Sequence, residues 1–391
     1  MSDTGQRDTG QSDTVISETG AGPPFRAEHV GSLLRPAELL AARGAYEGGR
    51  ITGAALRRTE DDCIRGAVAM QAELGLKGVT DGEFRRGSWH MDFLYQIGGV
   101  EKTDRALHIA FKNESGTVEF SPAAHLVAGR LRLDKTIFGE DFAFLKSVSP
   151  PGTTPKLTIP SPSMLHYRGG RAAIDPVSYP ELEAFWDDLA AVYRQQIAGL
   201  AALGCTYLQL DDTSLAYLND PAQRAYVDSI GGDGEHQHLI NIRLINRALA
   251  DKPSGMTVCT HLCRGNFRSS WMAEGGYDHV AEALFGELAV DGFFLEYDDS
   301  RSGGFAPLRF VPRGHKRVVL GLVTSKRPGL ENKDALKRRI EEAARFVPLD
   351  QLCLSPQCGF SSTVDGNALT IDEQKVKLAL VVEVAREVWG G

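Results

Sequence analysis

The stretch Gly255-Met256-Thr257-Val258-Cys259-Thr260-His261-Leu262-Cys263-Arg264-Gly265-Asn266 opens as an apolar, β-branched run and ends in polar and metal-ligating side chains. Strands of a parallel sheet read this way, because both faces are covered and function collects where the strand ends. The same format recurs at 27–30, 78–80, 156–159, 207–210, 256–260, 292–295, 318–323 and 352–354.

Between these runs, apolar residues at three- and four-residue spacing predict helices over 56–74, 179–203, 239–250, 335–346 and 372–388. Eight β/α alternations predict an α/β protein of the (β/α)8 TIM barrel type, one catalytic domain over 25–391. A doubly wound open sheet has the same periodicity and stays as the alternative. The segment 95–151 departs from the rhythm, with alternating patches at 107–112 and 126–133, and predicts an insertion carrying a small β-hairpin after the second strand.

The chain of 391 residues is 42% hydrophobic, enough for a large core, and its net charge of −8 comes from mixed charges without long basic runs. Nucleic acid and anionic membrane surfaces are therefore poor partners, and a small molecule is the better expectation. Residues 1–24 are polar and of low complexity, without the apolar core of a secretory signal, and read as a disordered tail. No run of about 18 apolar residues suits a membrane span, so a cytoplasmic location is expected. Six cysteines in so long a chain without an export signal read as core thiols, metal ligands or nucleophiles, not as a disulfide framework.

His261 and Cys263 lie two residues apart on extended backbone, so both side chains can point to one side and grip one metal. Glu296 follows the apolar run Phe293-Phe294-Leu295, and Cys358 follows Pro356 and precedes the flexible Gly359. Together His261, Cys263, Glu296 and Cys358 form a nitrogen, two-sulfur and oxygen set suited to tetrahedral Zn2+, drawn from three strand ends. Two thiolate ligands make a soft Lewis acid, which suits S-alkylation better than hydrolysis. Each part alone has a plainer reading: Glu296 as a solvated charge, and Cys259, Cys353, Cys63 and Cys205 as core residues.

With those segments, Glu28-His29-Val30-Gly31-Ser32, Asp81-Gly82-Glu83 and Gln209-Leu210-Asp211-Asp212 resemble the catalytic barrel of cobalamin-independent methionine synthase. The likeness is greater to the short single-barrel relatives, and runs from about Phe25 to Trp389. It implies zinc on His261, Cys263, Glu296 and Cys358, with Glu296 the ligand that yields to an incoming thiol. It also implies that Gly31 and Ser32 hold an amino-acid carboxylate while Glu83 and Asp211 hold the ammonium. The chain departs from the family in three places. Asp211-Asp212-Thr213 stands where the family has Asp-Glu-Pro. Leu322-Val323-Thr324-Ser325-Lys326 lacks the family's proton-donating His, leaving that task to Lys326 or water, or to a leaving group that needs no proton. The segment 161–167 lacks its folate-stacking Trp, leaving Tyr167 as the nearest aromatic.

The resemblance implies methyl transfer to the sulfur of homocysteine, giving methionine, with a methylated folate, a methyl-corrinoid or another methylated metabolite as donor. Alkyl transfer from an epoxide to a thiol such as coenzyme M is an alternative inside the same family. A non-catalytic zinc-binding protein and a zinc hydrolase are alternatives outside it. The oligomeric state is left open.

Overall fold

The strands of the computed structural model, which describes residues 22–114 and 116–390, are β1 (Gly78–Val79), β2 (Gly98–Ala106), β3 (Ile109–Asn113), β4 (Gly116–Phe120), β5 (Ala123–Arg132), β6 (Thr154–Pro160), β7 (Tyr207–Asp211), β8 (Thr257–Leu262), β9 (Gly292–Glu296), β10 (Arg317–Val323) and β11 (Leu352–Pro356). Seven of them form one sheet in the order β1-β6-β7-β8-β9-β10-β11, and every pairing in it is parallel. The helices Gly53–Glu73, Leu182–Ala202, Gln237–Leu249, Lys333–Ala343 and Ile371–Trp389 fall within a few residues of the expected spans. Three of the five start at side chains that satisfy free backbone N–H groups: Thr52 on Ala55, Asn332 on Ala335, and the reciprocal capping box of Thr370 and Glu373. No described helix is long and apolar enough to cross a membrane.

The first expected strand differs. Instead of a ladder over 27–30, Ala27 makes a single parallel bridge to Leu354 of β11, with Glu28 N donating to Leu354 O at 2.9 Å. Toward β1 the contact runs through side chains: His29 Nε2 lies 3.3 Å from Gly78 O, and Thr80 Oγ1 donates to Gly31 O at 2.6 Å. The segment 27–31 thus touches both edge strands, and the sheet is curled. Pro23 and Pro24 cannot donate to a ladder, and Asp81–Glu83 turns away with positive φ at Gly82 and Glu83, which leaves too little straight backbone on either side.

Two other segments carry more structure than their composition suggests. Of the tail expected over 1–24, residues 1–21 lie outside the described residues, while residues 22–24 are tied down by Arg317, which donates to Gly22 O at 3.0 Å and to the Pro24 carbonyl. The insertion is larger than one small hairpin. β2 pairs antiparallel with β5, and β3 pairs antiparallel with β4. The two ladders make one long ribbon, broken where Pro122 lacks an N–H to continue it and joined across the break by Leu107 N to Pro122 O at 2.8 Å.

Along the strands, residues two apart share a face. Tyr207, Cys259, Phe294, Val319 and Cys353 pack with Val30 in one inner cluster, so Cys259 and Cys353 are core thiols, as expected. Against this cluster lies a buried ion pair: Lys156 Nζ is 3.2 Å from Glu28 Oε2, with both side chains fully buried. Glu28 Oε1 also accepts from Tyr207 Oη at 2.7 Å and Phe25 N at 3.0 Å, and Lys156 donates to the His29 carbonyl. Every charge here is compensated, so removing one partner strands the other. Glu28→Gln is expected to cost about 3–5 kcal/mol in denaturant unfolding. The double variant Glu28→Gln with Lys156→Met should recover part of that loss, because no buried ammonium then stands alone.

Candidate active site

The parallel register carries Asp211, at the end of β7, level with His261 of β8. Cys263 follows β8 directly, and Cys358 follows Pro356 at the end of β11. One ligand atom from each of His261, Cys263 and Cys358 lies within 4.8 Å of the others, and all three residues are buried. The two sulfurs are 3.6 Å apart, and neither ring nitrogen of His261 has a hydrogen-bond partner. A buried imidazole with both nitrogens unpartnered, beside two thiols, fits a soft metal ion better than it fits a closed hydrogen-bond network.

Glu296 is outside this set of three. Its Oε1 lies 3.4 Å from Lys326 Nζ and 3.8 Å from Arg301 Nη2, and its Oε2 accepts from Arg264 N at 2.5 Å. Burial pushes its carboxyl up, but Lys326, Arg264 and Arg301 outweigh burial and hold it below the usual carboxylate range. Burial likewise works against the Lys326 ammonium, and Glu296 and Asp298 restore it, so the lysine stays charged.

Glu83, Asp211 and Ser32 line the same pocket as the three donors. Glu83 Oε1 accepts from Thr158 Oγ1 at 2.8 Å and lies 3.7 Å from Arg86, whereas its Oε2 is buried without a partner. Asp211 Oδ1 accepts from Gln209 Nε2 at 2.6 Å. Burial pushes the Asp211 carboxyl up to about 7, with His261 opposing and Glu83 adding to the shift. Two carboxylates lining one pocket, one with a free oxygen, make that side of it suited to a cationic group. The backbone beside them is packed tightly. A Cβ on Gly31 would sit 2.6 Å from Thr158 Cγ2, and one on Gly359 would sit 2.0 Å from Ser32 Oγ, so both positions need glycine for close approach.

The region described as "Cobalamin-independent synthase, Catalytic domain" matches residues 163–387, more than half of the chain. The chain belongs to this family. The protein YxjH of Bacillus subtilis (strain 168), itself uncharacterized, is 48% identical over 94% of this chain and 95% of its own. A crystal structure of a candidate vitamin-B12 independent methionine synthase from Listeria monocytogenes is 42% identical, with a TM-score of 0.76 over 94% of this chain and 99% of that one. A B12-independent methionine synthase from Shewanella sp. W3-18-1, solved in complex with selenomethionine, shares the fold at a TM-score of 0.69 and 19% identity, over 93% and 97% of the two chains. The cobalamin-independent synthase family is one of methionine synthase-like methyltransferases, and this chain is a transferase of that kind.

Within that family setting, four sequence-expected residues, Gly31, Tyr167, Glu296 and Lys326, lie outside the pocket lining. Tyr167 packs its ring against Tyr217 at 5.7 Å and donates from its hydroxyl to Gln223 Oε1 at 2.7 Å. Lys326 reaches Glu296 instead of the pocket. The pocket's aromatic wall comes from Trp89, Phe111, Phe120 and Phe267, and it also takes Arg168 and His90. Sequence reasoning missed all six. The alternating patch at 107–112 was the one available signal, since Ile109 and Phe111 fall on one face of the ribbon with Phe120.

His166, in the segment where the family carries its aromatic, is a packing residue. Its ring lies 4.8 Å from that of Trp186, and burial pushes it down to about 4, with His125 adding to the shift. The unfolded chain, with an ordinary histidine near 6.5, binds this proton first, so native stability falls as pH drops from about 6.5 to about 4. Measured against His166→Phe across that window, the stability of the wild-type chain relative to the variant should decline by about 1.4 kcal/mol per pH unit. A pH-independent difference would mean that the ring is charged in the native state.

Proposed function

We propose that this chain is a zinc-dependent S-methyltransferase that methylates the sulfur of homocysteine to give methionine, working in the cytoplasm as one (β/α)8 catalytic domain over 25–391. The observation that carries the reading is the convergence of His261, Cys263 and Cys358 within 4.8 Å in a pocket that also holds Glu83 and Asp211. Those three side chains, with Glu296 as a fourth, exchangeable donor, would hold the zinc. Zinc bound there supplies a lowered thiol pKa, so that the substrate sulfur is a nucleophilic thiolate at neutral pH.

The remaining work falls to the chain's own groups. The free Glu83 Oε2 and the Asp211 carboxyl bind the substrate ammonium, and Ser32 Oγ with the backbone at Gly31 receives its carboxylate. Glu296 has Lys326, Arg301 and the Arg264 N–H as partners, so it can leave the donor set without becoming an unpaired buried charge. Lys326 is therefore a positioning residue for Glu296. The walls of Phe111, Phe120 and Phe267 exclude water from the sulfur and from the methyl donor, a methylated folate, a methyl-corrinoid or a smaller methylated metabolite.

Zinc analysis and zinc K-edge absorption on the purified protein test this reading. About one zinc per chain is expected, bound through the two cysteine sulfurs, with a third sulfur added by excess homocysteine. Cys263→Ser and Cys358→Ser should each lose most of the metal and of the methyl transfer. Absence of zinc from the purified protein, or a coordination that homocysteine leaves unchanged, would sink it.

A further inference from the structure

The pocket holds charge that the amino-acid reading does not use. Arg168 follows the short helix Ser163–Tyr167 and lines the pocket, yet it is only 6% exposed. Its Nε has no partner, its Nη1 reaches Met272 Sδ at 3.9 Å, the neutral Tyr217 hydroxyl is its other hydrogen-bonding neighbour, and among the described residues no carboxylate pairs with it. His90, 1% exposed, lines the same pocket, with Nδ1 held by Ser88 Oγ at 3.2 Å and Nε2 buried without a partner. A guanidinium withdrawn from water without a counter-ion is costly, and such groups are kept where a ligand brings the missing charge. The carboxylates Glu83 and Asp211 do not supply it, since Glu83 faces Arg86 and Asp211 accepts from Gln209.

Beside these two groups stands the aromatic wall. The rings of Phe111 and Phe120 lie 5.5 and 4.9 Å from that of Phe267, and Trp89 stacks at 4.4 Å on the ring of His90. We propose that Arg168 and His90 form a subsite for one negative charge, a carboxylate or its equivalent, on a compact methyl donor whose flat or apolar body rests on this wall. This rests on the reading that homocysteine fills the Glu83 and Asp211 side. Because Arg168 lines the same pocket as Cys263 and Cys358, the donor's charge and its methyl group lie within one small molecule. A donor whose charges sit at the far end of a long tail does not meet Arg168 there. Arginine suits the task because its fork matches a carboxylate bidentately.

Isothermal titration with phenylacetate, in the presence of saturating homocysteine, tests the proposal, with neutral phenylacetamide as the control. Phenylacetate is expected to bind alongside homocysteine, and phenylacetamide about tenfold more weakly or worse. Arg168→Gln should weaken phenylacetate by about the same factor while homocysteine affinity stays within about twofold. Arg168→Lys should restore part of the loss, and an unchanged near-ultraviolet circular dichroism spectrum shows that each variant is folded. Competition between phenylacetate and homocysteine, or an equal loss of homocysteine affinity in Arg168→Gln, would assign Arg168 to the amino-acid carboxylate and overturn the proposal. Equal binding of acid and amide, or no binding of either, would overturn it as well. Failure of homocysteine to bind the wild-type protein, with phenylacetate still dependent on Arg168, would instead remove the homocysteine reading and leave the anion subsite.

Discussion

Parallel pairing with a fixed register is the constraint on which the rest of this molecule depends. Strands that run the same way bring all their C-terminal ends to one side, and the register sets which residues stand level there. Pro160, Asp211, His261 and Phe294 follow one another across β6 to β9, and Gly321 stands level with Glu296 across β9 and β10. A slip of one residue in β8 would turn His261 outward and bring Thr260 inward, which breaks the three-donor cluster while leaving strand and composition unchanged. The lower inner layer of Tyr207, Cys259, Phe294, Val319 and Cys353 resists that slip, because the same slip would expel Cys259 from the core.

Two buried carboxylates show how the two ends of the strands are used. Glu28 is fully committed: Lys156, Tyr207 and the Phe25 N–H occupy it from several directions, and its work is to tie 25–31 to the neighbouring strands. Glu296 is held by three ion pairs, to Lys326 at 3.4 Å, Arg301 at 3.8 Å and Arg264 Nη1 at 4.0 Å, and by one short backbone hydrogen bond from Arg264 N. The same side-chain type is therefore tied by close hydrogen bonds at one end and surrounded mainly by longer ion pairs at the other. The difference lies in distance: all three donors to Glu28 come within 3.2 Å, whereas only the Arg264 N–H comes that close to Glu296.

What was legible in the sequence was what local pattern encodes. β7 to β11 were found within a residue or two, because each is an apolar run with no exposed face to interrupt it. His261 and Cys263 were legible as a pair because extended backbone repeats its side-chain direction every two residues. The first strand misled, since Ala27-Glu28-His29-Val30 has strand-like composition while its hydrogen bonding is a single bridge and a set of side-chain contacts. Arg168 and His90 were invisible for another reason. Nothing in Tyr167-Arg168-Gly169 distinguishes a buried guanidinium from a solvated one, and only tertiary packing removes its water.

The inserted ribbon carries this point furthest. Its break at Pro122 sends the β3–β4 arm across the strand ends, where Lys112 and Trp271 exchange backbone hydrogen bonds of 2.6 and 2.8 Å and hold the arm to the loop after β8. That loop is the one that carries Cys263 and Phe267, so one of the two sulfurs and the ring on which Phe111 and Phe120 pack share one strip of backbone. Phe111 and Phe120 then cover the pocket by virtue of hydrogen bonds made about 160 positions away in sequence, a long-range closure that no local periodicity encodes. Ribbon and loop are therefore one unit, and a change in the arm acts on the aromatic side of the pocket while the register of β7 to β11 keeps Asp211 and His261 in place.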